Sequence, residues 1–308
     1  REFVKKPICI ITYNEIQARK IVEDLSYFTD KIIYLPKKEI VTYDYIAESK
    51  DLPYERIEAL NKIQELKTGI VVTTIEAAIQ KMISKEQLYK NTLSFKVGQE
   101  QQLEDIKQKL VDLGYIRCDL IEGRGQFSVR GGIVDIAISV NSGVRIEFWG
   151  DEIDSIRKFS LATQRTVKML DDIEIYPSYE FLLADNVETV CERIGDKVYP
   201  NSVKEKVRDD IYQIKNGEFL TKIDKYFDCF YSETDTLLNY LEDDTVIFID
   251  EISKIKARAE NITKDNTHLI KDLTEKNKIV PGILSQMKDY IKFSEGLTKK
   301  QVVYLEKQ

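Results

Sequence analysis

The segment TVIFIDE, residues 245–251, sets two carboxylates, Asp250 and Glu251, at the end of an apolar strand. A nucleotide-hydrolysing domain holds its magnesium in this way. That chemistry also needs a glycine loop that brings backbone N–H groups to the phosphates, followed by Lys and Ser or Thr. No Gly-Lys-Ser or Gly-Lys-Thr occurs anywhere in the 308 residues. Without that partner, the pair is a buried strand whose terminal carboxylates favour the positive start of the next helix. The glycine-rich GRGQFSVRGG, 123–132, lies between strands rather than ahead of a helix, which argues against a dinucleotide loop. Asp171–Asp172 and Asp243–Asp244 flank strands, where solvated turns explain them better than acid–base work. Cys9, Cys118, Cys191 and Cys229 are never closer than 38 residues, and His268 is the single histidine, so no thiolate or imidazole cluster for zinc exists. The expectation is a chain with no catalytic residue, no metal and no cofactor of its own.

A different constellation concerns recognition. Six of twelve arginines fall within 117–165, namely Arg117, Arg124, Arg130, Arg145, Arg157 and Arg165, against one lysine, Lys158. The planar guanidinium fork is less strongly hydrated than an ammonium and suits interfaces. Strand alternation places Val144, Ile146 and Phe148 on one face, and Arg145, Glu147 and Trp149 on the other. In 126–130 the same rule separates Phe127 and Val129 from Gln126, Ser128 and Arg130. Burying the aliphatic faces against a helix at 102–113 leaves Arg130, Arg145 and Trp149, the only tryptophan, turned outward. An outward indole beside two arginines is the composition of a binding hot spot. The alternative tucks Trp149 under a loop and pairs the arginines with Glu147, Asp151 or Asp154.

The elements that must position these residues follow from periodicity. PICIITY, 7–13, predicts a buried strand, and Asn14 caps a following helix with Ile16, Ala18, Ile21 and Leu25 at helical spacing. Strands at 31–35 and 70–73 alternate with helices at 54–66 and 74–83, the pattern of a parallel α/β sheet. Near residue 92 the pattern changes. A strand at 93–97 and a helix closed by Gly114 precede four strands at 126–130, 132–138, 144–149 and 153–159. Turns at Gly131–Gly132, Asn141–Gly143 and Gly150–Glu152 make these an antiparallel meander. Beyond Pro177, a helix at 202–216, a short one at 235–241, a strand at 245–249, a helix at 252–274 and a strand at 302–306 return to α/β style. The organisation predicted is one α/β domain, 1–91 with 182–308, interrupted by an inserted α+β domain, 92–181.

Hydrophobic residues make up 43% and charged residues 32%, the balance of a globular protein rather than a disordered one. The apolar runs are too short for a membrane helix, and the charged start, Arg1 to Lys6, is unlike a secretory segment. A net charge of −7 argues against a chain given over wholly to nucleic-acid binding.

The stretch FSVRGGIVDIAISVNSGVRIEFWGDEIDSIRKFSLATQRT, 127–166, closely resembles a motif of the family that unites the UvrB repair helicase with the transcription-repair coupling factors. Weaker similarity runs through 43–63, 114–132 and 173–181. The resemblance implies a degenerate RecA/helicase-like parallel-sheet domain (UvrB-like 1a, then 1b) interrupted by domain 2, which binds the ATPase UvrA. It carries the UvrA-contacting positions onto Arg130, Arg145 and Trp149, with Gly131, Gly132 and Gly150 as supporting turns. Trp149 stands where the family usually has Phe. After Tyr43–Tyr45 only IAE and a short SKDLP link precede the helix at 54, where UvrB would place its DNA-clamping hairpin. The resemblance therefore implies a cytoplasmic, non-catalytic module of a coupling factor that recruits UvrA to stalled RNA polymerase for nucleotide excision repair. RNA polymerase and double-stranded DNA, and the motor that uses ATP and magnesium, would be served by C-terminal domains, one of which masks the UvrA face. A UvrB-type helicase fragment and a DNA-binding scaffold are the alternatives. ATP-dependent activity would mark the first, and steep salt dependence of DNA affinity the second.

Overall fold

In the computed structural model of the chain, the described residues are 6–38, 52–180, 187–199, 201–216, 226–231, 233–276, 287 and 290–306. Tyr43, Tyr45 and the link at 49–51, on which the argument against a DNA-clamping hairpin rests, lie outside them. The chain divides into two compact units, 1–85 with 183–308, and 86–182.

The first unit is built on a parallel sheet. Its first part runs β1 (Ile8–Thr12), α1 (Glu15–Ser26), β2 (Ile32–Leu35), α2 (Leu52–Gln64), β3 (Ile70–Thr74) and α3 (Ile75–Ile79). The second unit runs α4 (Lys85–Lys90, beginning at the boundary), β4 (Leu93–Lys96), α5 (Leu103–Asp112), β5 (Ile116–Arg117), β6 (Gln126–Arg130), β7 (Ile133–Ala137), β8 (Ser142–Trp149), β9 (Glu152–Ser160), β10 (Thr166–Leu170) and β11 (Asp172–Ile175). The chain then returns to the first unit with α6 (Val187–Gly195), α7 (Asn201–Lys215), α8 (Phe227–Phe230), α9 (Leu237–Tyr240), β12 (Val246–Asp250), α10 (Ile252–Glu275), α11 (Tyr290–Leu297) and β13 (Gln301–Leu305).

Five strands of the first unit form one sheet in the order β13-β12-β1-β3-β2, every neighbouring pair parallel. Parallel strands covered by crossover helices on both faces bury apolar runs rather than alternating ones. Accordingly Val71 and Val72 are buried side by side in β3, and in β1 and β12 Cys9, Ile11, Ile247 and Ile249 are buried while the intervening Ile10 and Phe248 are still half-covered. The helix expected over 74–83 stops at Ile79. Gln80 is extended, and its side-chain amide donates to the Lys38 carbonyl and accepts from the Lys38 N–H. Met82 and Asp235 then exchange backbone hydrogen bonds. These tertiary partners outweigh the helical tendency of the sequence there.

The second unit carries a six-stranded sheet, β10-β9-β8-β7-β6-β5, and a β11-β4 pair. All neighbours from β6 to β10 are antiparallel, which makes the predicted meander. Phe127, Val134, Ile136, Val144, Ile146 and Ile156 form its buried face. Ile106 and Leu110 of α5 are buried in the same unit. Gly114, at φ +81, ends α5, with Tyr115 N–H returning to the Leu110 carbonyl. Periodicity missed β10 because four of its five residues are exposed, so the edge strand shows no buried alternation. Among the described residues no helix is long and apolar enough to cross a membrane.

Candidate partner-docking face

Register fixes what shares the second face of the meander. Asp135 of β7 lies opposite Arg145 of β8, and Ile133 opposite Glu147. On β6, Arg130 lies opposite Ile133 and Ser128 opposite Asp135. On β9, Arg157 lies opposite Arg145 and Ser155 opposite Glu147. The face is therefore a band of charge crossing four strands, and Trp149 ends β8 at its margin.

Trp149 is 84% exposed. No loop of the described residues covers the indole, so the tucked-under alternative does not hold. Two hairpin ends support this position. Gly131 and Gly150 take φ of +60 and +64, the left-handed region that costs glycine little and other residues more. Gly132 answers a second need: a Cβ there would meet the Phe148 carbonyl oxygen at 2.8 Å. Between β8 and β9 the register slips after Glu147, which leaves Asp154 as an extra residue and bends the hairpin toward its tip. The outer side of that tip is tied down as well. Gln101 N–H donates to the Asp151 carbonyl at 2.8 Å, and Ile153 N–H to the Gln99 carbonyl at 2.9 Å. An exposed indole on a braced hairpin loses little conformational freedom on binding.

The two arginines of the face are not equivalent, and neither takes a partner that the alternative reading named. Both donate to Asp135, which is 1% exposed. Arg145 donates from Nε to Oδ1 at 2.6 Å and from Nη2 to Oδ2 at 2.8 Å. Arg130 donates once, from Nη2 to Oδ2 at 3.0 Å. Glu147, one of the three partners named in the alternative, instead accepts from Arg157 and from the Ser155 hydroxyl. The reason is register, since Asp135 stands directly across from Arg145 while Glu147 stands across from Ser155.

Arg145 is also packed against a ring on its own face of the sheet. Its guanidinium carbon sits 4.8 Å from the centroid of the Phe159 ring. Phe159 is 1% exposed and clusters with Ile121, Ala137 and Leu161. Gly143 makes room for it, since a Cβ there would lie 2.6 Å from the ring's Cζ. The hydrogen bonds to Asp135 hold the Arg145 pKa above its ordinary value. Its side chain is 20% exposed, whereas that of Arg130 is 53% exposed. The outward pair expected from alternation is thus one half-exposed arginine and one largely structural arginine. Sequence reading missed Asp135 and Phe159. Asp135 was detectable, because a two-residue Gly131–Gly132 turn fixes its place beside the arginines; nothing in the sequence marked Phe159.

This difference has a measurable consequence. Arg145→Ala removes two charged hydrogen bonds from a buried carboxylate and should cost roughly 1–3 kcal/mol of stability. Arg130→Ala, at an exposed site, should cost about 1 kcal/mol or less. Denaturant unfolding followed by circular dichroism gives the two values, and equal losses would contradict the assignment.

The carboxylate pair at the end of β12 is occupied by the protein's own groups. Asp250 Oδ2 accepts from the Thr12 hydroxyl at 3.0 Å and from the Gln17 amide at 3.2 Å. Asn14 Oδ1 accepts the Gln17 N–H at 2.8 Å and caps α1. A phosphate at that helix start would compete with this side chain for the same N–H. Glu251, at φ 64, lies with Oε2 3.3 Å from Lys254 Nζ. Among the described residues no group of three or more His, Cys, Asp or Glu side chains could hold a metal ion.

Residues 93–181, which include the braced meander and its aromatic tip, match the model of the family described as the UvrB interaction domain. The particular proteins the chain is similar to are transcription-repair-coupling factors. That of Bacillus subtilis (strain 168) is 31% identical over 294 residues, covering 90% of this chain and 25% of that protein. That of Staphylococcus aureus (strain bovine RF122 / ET3-1) is 27% identical over 302 residues, covering 94% and 25%. The chain spans about a quarter of the length of the curated relatives it matches. Both findings agree with the resemblance carried by residues 127–166.

Proposed function

We propose that this chain is the UvrB-like recruitment module of a transcription-repair coupling factor, and that its inserted unit docks UvrA through Trp149 and Arg130. The observation that carries the reading is the indole, exposed on a hairpin tip braced from both sides. A large rigid aromatic held in water has no folding benefit to explain it, but it has the properties of a binding anchor. The match of residues 93–181 to the UvrB interaction domain supports the choice of partner. Arg145 contributes mainly by building the face. Co-precipitation of the intact chain with cognate UvrA tests the reading. Capture by the wild type and loss of capture by the Trp149→Ala, Arg130→Ala double variant is expected; capture unchanged by the double variant would overturn it.

In a whole coupling factor, this module would hand a stalled RNA polymerase to excision repair in the cytoplasm. Polymerase, double-stranded DNA, ATP and magnesium would be handled by C-terminal domains, one of which would mask the face until the motor engages.

The parallel-sheet unit is proposed as a scaffold without ATPase activity. Its support is Asn14 at the start of α1, together with Asp250 held by Thr12 and Gln17. A ligand that binds only the folded state raises stability, by about 2.7 kcal/mol at a hundred times its Kd. Millimolar ATP with magnesium should therefore leave the melting temperature of this chain unchanged. A rise of several degrees would refute the scaffold role.

A further inference from the structure

We infer that Asp135 is a positioning residue, which holds Arg130 so that its unpaired edge meets a carboxylate on the partner; the inference rests on the proposed UvrA role of this face. Asp135 is buried on β7, where a lone carboxylate would be costly to desolvate. Two arginines from the neighbouring strands compensate it, and they do so unequally. Arg145 commits its Nε and Nη2 to the carboxylate and sets its guanidinium carbon over the Phe159 ring, with its side chain 20% exposed. It neutralises Asp135 by itself. The single bond from Arg130 Nη2 is therefore not needed to balance charge, yet it pins a side chain that is half in solvent. Among the described residues Arg130 makes no other hydrogen bond or ion pair, so one Nη2 hydrogen is spent and the other, with the Nε–H and Nη1 donors, leaves a two-donor edge open.

A guanidinium pinned at one nitrogen keeps a planar fork of donors in a fixed direction, and a carboxylate is the group that fork matches. Holding the fork in advance removes rotamer entropy that a free arginine would lose on binding. Arg130 ends β6 on the face that Trp149 ends on β8. The partner chemistry that fits is an apolar pocket for the indole with a carboxylate at its rim. The acidic chain as a whole, at −7, draws no such group by general attraction, so the recognition must be local.

The test is a double-mutant cycle in the intact chain, using Asp135→Asn and Arg130→Ala, with UvrA affinity and melting temperature read for each. Each single variant should weaken binding about tenfold, the value of one charge-assisted hydrogen bond. The double variant should bind no more weakly than Arg130→Ala alone, because Asp135 acts through Arg130. A purely structural Asp135 predicts instead that the two losses multiply to about a hundredfold, and that outcome overturns the inference. So does wild-type binding by Asp135→Asn. Nitrogen-15 NMR of the Arg130 side chain in the wild-type chain decides the pin even if Asp135→Asn fails to fold. Hindered guanidinium rotation without partner supports it; free rotation refutes it. If wild-type chain does not bind UvrA at all, the proposed function fails, and the NMR result still decides whether Asp135 holds Arg130.

Discussion

Trp149→Ala should lower the affinity for UvrA by about 2 kcal/mol or more, roughly thirtyfold, while leaving the melting temperature of the chain unchanged. The indole lies in water in the free chain and gains its contacts only when a partner covers it. At 84% exposure it contributes almost nothing to the folded core, so its removal opens no cavity. Its strand position is secured by other residues, namely the left-handed Gly150, the Phe148 hydrogen bond to Gly132 and the tie from Gln101 to Asp151. Truncation therefore deletes the anchor without moving its support. Titration calorimetry against UvrA reads the loss, and a circular dichroism melt reads the stability. Trp149→Phe should restore most of the affinity, because the hairpin tip needs a rigid aromatic more than it needs the indole N–H. If Trp149→Ala binds normally, the hairpin tip is not the docking site. If it melts early, the indole has a structural role that its exposure denies.

Trp149 and its neighbours show which features of this face the sequence made legible. Strand alternation in VRIEFW sorts Val144 and Ile146 from Arg145, Glu147 and Trp149, because a pleated strand has no other way to place them. The glycine turns were legible for the same local reason. Pairing across strands is a longer-range property. Whether Arg145 meets Glu147, Asp151 or Asp135 depends on the register of three strands, which is set jointly by the turn at Gly131–Gly132 and the connection at 138–141. Only the first of these is short enough to fix register by itself. Asp135 was further concealed by its setting, since GIVDIAI looks like an apolar core strand with one interruption. In the parallel sheet the apolar runs made β1, β3 and β12 plain, whereas α3 is shortened by the contacts of Gln80 with Lys38 and of Met82 with Asp235, residues far apart in sequence.

The largest effect on stability should come from Phe159, which no sequence signal singled out. Phe159→Ala removes a fully buried ring from among Ile121, Ala137 and Leu161 and should destabilise the inserted unit by about 3–5 kcal/mol. For a domain of this size that lowers the melting temperature by at least about 10 °C. UvrA binding should fall with it, by loss of the folded face rather than of a contact. Circular dichroism must follow the transition, because Trp149 is already in water and its emission would change little on unfolding. The neighbouring glycine supplies a sharper check. In the wild-type background, Gly143→Ala drives a methyl group to 2.6 Å from the Phe159 ring and should destabilise by about 1–3 kcal/mol. In the Phe159→Ala background the same methyl group enters the space the ring has left, so Gly143→Ala should there be neutral or stabilising. A change of sign between backgrounds is the signature of two residues sharing one volume. If the two losses simply add, Gly143 and Phe159 do not compete for that space, and Arg145 is not seated on the ring in the way described.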